Sequence, residues 1–136
     1  VRLGDDGLAI DSARMGQVIE VLRGLARRAQ LAVVVVVPVG AEGLGGRRVR
    51  QHHLLGSPML LYEADVIVVL DEKTSAADQT ALEHSPQRWG DFRDWVVCTI
   101  EKNRWGGRLE TVELRKDFAH GRFWPTMRKV HERLRG

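Results

Sequence analysis

Hydrophobic and polar residues follow a helical period near the start of the chain. Between Met15 and Ala29 the apolar residues recur every three or four positions, which predicts an amphipathic helix of about five turns. Asp11 and Ser12 precede this segment and offer the side-chain oxygens that favour a helix start. The stripe consists of Met15, Val18, Ile19, Leu22, Leu25, Ala26 and Ala29.

Two later runs are apolar without alternation. Residues 33–37 are five consecutive valines, and residues 66–70 repeat the pattern. Strands that lack a polar face are typical of parallel sheets with helices on both sides. Pro38 ends the first strand because proline cannot donate into a central ladder. A helix followed by two such strands predicts an α/β fold with buried parallel strands flanked by helices.

After Trp95 the pattern changes to antiparallel hairpin strands. Strand-like pieces cover residues 95–101, 109–115 and 122–124. The second piece alternates polar and apolar residues, which indicates one solvent-facing side. Pro125 and Thr126 are expected to open a terminal helix with Met127, Val130 and Leu134 on one stripe.

Two polar connections separate these elements. Residues 40–50 are basic and rich in glycine, which predicts a loop beyond the carboxyl end of a sheet strand, where open α/β sheets bind ligands. Residues 71–94 form a second long connection, with a helical turn expected around residues 76–83. Connections of this length are usually functional or disordered.

Composition restricts the class of protein. At 136 residues and 15.3 kDa the chain fits one domain, and its longest apolar run, residues 31–39, is too short to span a bilayer. The single cysteine, Cys98, rules out an internal disulfide, so we expect a cytoplasmic location. His52 and His53 would point to opposite sides of an extended chain, which disfavours a metal site.

The net charge of +3 is unevenly distributed. Residues 63–101 carry nine acidic and three basic side chains, whereas residues 102–136 carry ten basic and four acidic ones. A basic segment of this kind permits contact with nucleic acid or phosphate without establishing it.

The sharpest chemical feature is the segment 101–107, Glu-Lys-Asn-Arg-Trp-Gly-Gly, between two strand-like runs. The glycines predict a hairpin link. Lys102 and Arg104 are two residues apart and therefore point to the same face of a strand. Paired cations, one a point charge and one a planar fork, suit a phosphate group. The competing interpretation is an ordinary solvated hairpin tip.

Several catalytic signatures are missing. The chain has no Gly-x-x-x-x-Gly-Lys-Ser/Thr phosphate loop, no Gly-x-Gly-x-x-Gly after a strand and no nucleophile elbow. A stand-alone enzyme is therefore not indicated.

Four segments together resemble the second half of the RecA-type ATPase core of DnaB-type replicative helicases, and their relative RadA. Residues 22–27 look like the helix before the family's sensor strand, and residues 63–70 resemble its acidic-Ala-Asp-Val segment. Residues 102–106 are similar to the Lys-Asn-Arg-Phe-Gly motif of RadA. Residues 117–123 resemble the family's last turn and edge strand.

This resemblance implies a partial RecA-like P-loop NTPase domain over residues 1–136 that lacks the Walker A and Walker B motifs. The chain begins where the family's Walker B strand would end, so we expect a piece of a longer protein. In the family the Lys-x-Arg tip reaches the phosphates of a neighbour's nucleotide, which would make Lys102 and Arg104 trans-acting catalytic and cofactor-binding residues. The implied cofactors are ATP and Mg²⁺, with the Mg²⁺ ligands outside this chain. The implied partners are single-stranded DNA and identical subunits in a ring.

Departures from the family pattern keep a second hypothesis open. Pro38 stands where the family has a glutamine that senses the γ-phosphate, and Leu55 replaces an arginine of the DNA-gripping loop. The candidate DNA-binding residues are Arg47, Arg48, Arg50, Gly56 and Ser57. The alternative to a helicase motor is a catalytically inactive, helicase-derived module for DNA binding or oligomerisation.

Overall fold

The central feature of the fold is a four-stranded antiparallel sheet, seen in a computed structural model that describes residues 12–45, 48–55, 58–76 and 88–130. Its strands lie in the order in which they occur along the chain. They are β1 Val66–Glu72, β2 Trp95–Asn103, β3 Thr111–Asp117 and β4 Arg122–Lys129. Each strand is antiparallel to the next. Short links join β2 to β3 and β3 to β4, as is usual for antiparallel neighbours, whereas residues 73–94 connect β1 to β2.

The described helices are one long and three short ones. They are α1 Ser12–Ala29, α2 Pro58–Glu63, α3 Lys73–Ala76 and α4 Arg88–Phe92. Helix α1 confirms the helical prediction, and its buried residues Met15 and Ile19 belong to the predicted stripe. Helix α1 lies against α2. Single 3₁₀ turns occupy Gln51–His53 and Phe118–His120.

The prediction of buried parallel strands is wrong. Residues 33–37 belong to none of the described strands, and Val34 and Val36 are 82% and 84% exposed. Residues 66–70 do form a strand, but it pairs antiparallel with β2, and its side chains alternate between exposed and buried. The described chain therefore has a single antiparallel sheet with few helices, in place of a RecA-like parallel core.

The reason for this error is that an apolar run does not specify its neighbours. The valine segment has the composition of a two-sided buried strand, yet no described strand lies beside it to cover either face. Within the described residues, an isolated antiparallel bridge lies just beyond the segment, between Val39 and Leu54. Pro38 accepts a hydrogen bond there from the amide of Leu55, at 2.9 Å.

A small core holds this bridge against one face of the sheet. Val49, Ile67 and Val69 are buried together, and a further set of apolar side chains packs on them, namely Val39, Leu54, Leu61 and Ala64. Asp71 on β1 fixes the loop because its carboxylate accepts the amide hydrogen of Val49 at 2.8 Å. Burial raises the pKa of Asp71.

The opposite face of β1 is more open. Val66, Val68 and Leu70 point to that side and are each about half exposed. Exposed edge strands of this length and composition are usually covered in native proteins.

The predicted hairpin is confirmed, and the predicted terminal helix is wrong where the structure describes it. Strands β2 and β3 pair antiparallel, with Trp95 opposite Arg115 and Thr99 opposite Thr111. Pro125 and Thr126, expected to open a helix, lie within β4. Strand β4 is an edge of the described sheet, where proline's missing N–H is tolerated. Residues 131–136 and most of the turn expected at 76–83 lie outside the described residues.

Candidate functional site

The hairpin tip carries the two cations that the sequence analysis singled out. Lys102 is in β2, paired with Ile67 of β1, and Arg104 follows the end of the strand. Gly106 and Gly107 then turn the chain with φ angles of 84° and 100°, in the left-handed region that suits glycine. Trp105 is 82% exposed at this turn.

Lys102 and Arg104 do meet, and they meet at the carboxyl end of α2. The Lys102 ammonium donates hydrogen bonds to the carbonyl oxygens of Leu61 and Tyr62, both at 2.8 Å. The Arg104 guanidinium donates to the same Tyr62 oxygen at 2.7 Å. These carbonyls are among those left without helical partners at the end of α2, and cations are favoured there.

Asp65 holds the arginine from the other side. Its carboxylate is 3.0 Å from the Arg104 guanidinium, and its carbonyl oxygen accepts the Arg104 amide hydrogen at 2.8 Å. Both side chains remain more than a third exposed, so solvent screens this ion pair. The tip is therefore fixed in position while its charges stay accessible.

A third cation completes the site. Arg23 of α1 forms an ion pair with Glu63, the last residue of α2. An open cleft of about 540 Å³ lies between these groups. Its lining is Arg23, Tyr62, Glu63, Lys102 and Arg104. We call this set the basic cleft.

The basic cleft has the charge and geometry of an anion site. Three cationic side chains line the cleft with Glu63, and the Asp65 carboxylate contacts Arg104, so the site keeps a net positive charge. Apart from the Arg104–Asp65 ion pair, the hairpin cations donate to neutral carbonyl oxygens, and charge-assisted bonds to an anionic oxygen are about twice as strong as neutral ones. The arrangement can thus exchange weak internal acceptors for the oxygens of a phosphate.

The resemblance also implies Mg²⁺, with its ligands outside this chain. Throughout the part of the chain that the structure describes, no three Asp, Glu, His or Cys side chains come close enough to hold a metal ion. His52 and His53, expected on opposite sides of an extended chain, instead lie in a 3₁₀ turn with ring centroids 4.1 Å apart.

The predicted DNA-binding residues are only partly described. Arg47, Gly56 and Ser57 lie outside the described residues. Arg48 turns towards the sheet, where its guanidinium donates to the Thr99 hydroxyl at 3.1 Å. Arg50 forms an ion pair of 2.8 Å with Glu101.

A DNA phosphate would have to compete with these internal contacts for the two arginines. Burial, with the neighbouring Arg50 charge, lowers the pKa of Arg48. The guanidinium of Arg50 is held by a carboxylate that is only 10% exposed. Both arginines therefore contact sheet residues of their own chain.

Sequence reasoning missed Arg23, Tyr62 and Glu63. Arg23 is not part of the apolar stripe of the predicted helix, and it lies forty positions before Glu63 in the sequence. No local motif connects them, because the cleft depends on how α1 packs against α2. The acidic-Ala-Asp segment at residues 63–65 was noticed only as part of the family resemblance.

Comparison of the chain with protein-family models, curated proteins and solved structures returned no match in any of the three. None of the helices in the described ranges combines the length and apolar character that a membrane crossing requires.

Proposed function

We propose that this chain contributes a phosphate-binding hairpin to a nucleotide-hydrolysing DNA motor of the DnaB-like kind. In this proposal Lys102 and Arg104 contact the phosphates of ATP held by a neighbouring subunit. The observation that carries it is their convergence: two cations of one rigid tip meet within one cleft and keep solvent access. The proposal rests on this tip and not on a parallel RecA-like core.

Physical chemistry supports the assignment of both residues. Charge that is positioned in advance costs little reorganisation when a phosphate arrives, which is how cationic fingers lower the barrier to phosphoryl transfer. Asp65 and the α2 carbonyls fix the two side chains in this way. The resemblance of residues 102–106 to the RadA motif supports the same role.

The test is ATP turnover by the purified protein in its full-length form. We expect Lys102→Ala and Arg104→Ala each to lower kcat by about a thousandfold, the size seen when such fingers are lost. ATP affinity should change far less, because the nucleotide is held mainly by the other subunit. Arg108→Ala is the matched control, since it removes an exposed arginine from the same hairpin link.

Two results contradict this function. One is turnover that survives both substitutions at the level of the Arg108 control. The other is a complete absence of ATP hydrolysis by the unmodified protein, with and without single-stranded DNA.

The second candidate is a non-catalytic module for oligomerisation or DNA binding. A specific observation favours it: the exposed valines at 34 and 36 and the half-exposed face of β1 leave apolar surface uncovered among the described residues. Surfaces of this kind often mark interaction sites. Sedimentation velocity over a range of concentrations tests it, and a single species at the monomer mass under all conditions counts against oligomerisation.

A further inference from the structure

We propose that Arg23 is a third anion-binding residue of the basic cleft, and that Glu63 occupies it as an internal competitor until a polyphosphate binds. This inference rests on the proposed phosphate role of Lys102 and Arg104. It adds a residue from a different element, a regulating carboxylate and a ligand class.

Arg23 reaches the basic cleft from a different element than the hairpin cations. Its guanidinium lines the same cleft as the hairpin cations, although it comes from α1. About two fifths of its side chain is exposed, so it is not locked inside the helix packing. An anion in the cleft therefore has access to cations on two sides.

Glu63 lies in the basic cleft beside Arg23. Among the described residues it is the one carboxylate that lines the cleft, and it pairs with Arg23, while Asp65 contacts Arg104 from the other side. The Glu63 side chain is 19% exposed and so less screened than its partner. An incoming anion must compete with this carboxylate for Arg23. At Lys102 it competes with the neutral carbonyl oxygens that accept hydrogen bonds from the ammonium.

The cationic side chains come from two elements, and this arrangement indicates the class of ligand. One phosphate group can satisfy the paired hairpin cations, but Arg23 approaches from another element. A chain of two or three phosphates, as in a nucleoside diphosphate or triphosphate, presents anionic oxygens to both sides. We therefore expect tripolyphosphate to bind more tightly than monophosphate.

Isothermal titration of inorganic tripolyphosphate at low ionic strength tests the inference. Arg23→Gln should weaken binding by roughly tenfold, and Glu63→Gln should strengthen it by roughly three- to tenfold. Arg23→Lys should retain most of the affinity because it keeps the charge. Arg27→Gln and Glu20→Gln make the same charge changes on exposed positions of α1 and should stay within about twofold.

The outcomes separate this inference from the proposed function. It is overturned if Arg23→Gln binds like Arg27→Gln, or if Glu63→Gln gains no affinity over Glu20→Gln. If each variant has the same tripolyphosphate affinity as its control while Lys102→Gln and Arg104→Gln still lose affinity, the hairpin binds phosphate without help from Arg23 or Glu63. Circular dichroism of each variant shows whether it is folded. If Arg23→Gln does not fold, Arg23→Lys takes its place in the test.

Discussion

Three side chains converge on Asp117 at the turn between β3 and β4. Its carboxylate contacts the His120 ring at 2.8 Å and accepts hydrogen bonds from Arg122 at 2.9 Å and Trp124 at 3.0 Å. These bonds, that of His120 first, lower the pKa of Asp117 to about 2. A carboxyl with a lowered folded-state pKa stabilises the fold above its unfolded pKa.

The pH dependence follows from that direction. Asp117→Asn should destabilise the protein at neutral pH, and the difference in unfolding free energy from the parent should shrink between about pH 4 and pH 2. Thermal unfolding of both proteins at several pH values measures this. A difference that stays constant through this range would mean that the carboxylate charge is not responsible.

Lys73 and Glu113 form an ion pair inside the fold. The ammonium nitrogen is 2.6 Å from the carboxylate, both side chains are less than a tenth exposed, and the Phe92 ring lies 4.4 Å from the ammonium. Glu113→Gln should lower the unfolding free energy by about 2–3 kcal/mol, because it removes a carboxylate charge that contacts a buried ammonium. Urea unfolding measures the change. Glu110→Gln, an exposed position before β3, should stay within about 0.5 kcal/mol, and equal effects would contradict the assignment.

At the scale of elements, α1 ends in a way that the sequence did not signal. Gln30 adopts a left-handed φ of 53°, and the amide of Leu31 donates to the carbonyl of Ala26 at 3.0 Å. This is the Schellman arrangement, in which glycine is preferred. Gln30→Gly should therefore stabilise the protein by about 1 kcal/mol.

A matched substitution inside the same helix should change the unfolding free energy in the opposite direction. Gln17→Gly places glycine at an exposed helical position and should destabilise by about 1 kcal/mol. Urea unfolding of both variants compares them directly. Destabilisation by both would show that Gln30 is not held in the left-handed conformation.

Elements with local signals could be predicted, and elements that depend on distant partners could not. The period of α1 and the glycines of the β2–β3 link are local, and both predictions are confirmed. The composition of the valine run at 33–37 predicts a sheet strand. A strand also needs a partner strand to pair with, and composition does not identify that partner. Pro125 was expected to begin a helix, but pairing with Leu114 places it in an edge strand.

At the scale of the whole molecule, the basic cleft joins parts of the chain that lie far apart in sequence. The sequence indicated Lys102 and Arg104 because two cations two residues apart are a local pattern. Arg23 and Glu63 join them only because α1 rests on α2 beside the tip. The positive excess of residues 102–136 permits an anionic partner, and the cleft offers one location for such a partner.

The uncovered apolar surface is also a property of the whole molecule. The valine run and the open face of β1 would ordinarily be buried, and the described residues do not cover them. Such a surface fits the assembly that the proposed motor requires and the oligomerisation that is part of the second candidate function.

The central claim is that Lys102 and Arg104 bind phosphate. The most direct measurement is the affinity of the protein for tripolyphosphate at low salt, compared among the parent, the double variant Lys102→Gln/Arg104→Gln and the control Arg108→Gln. We predict that the double variant loses at least about tenfold in affinity, as expected for two charge-assisted contacts, and that the control matches the parent. Equal affinities in all three proteins, or no binding by the parent, would contradict the claim.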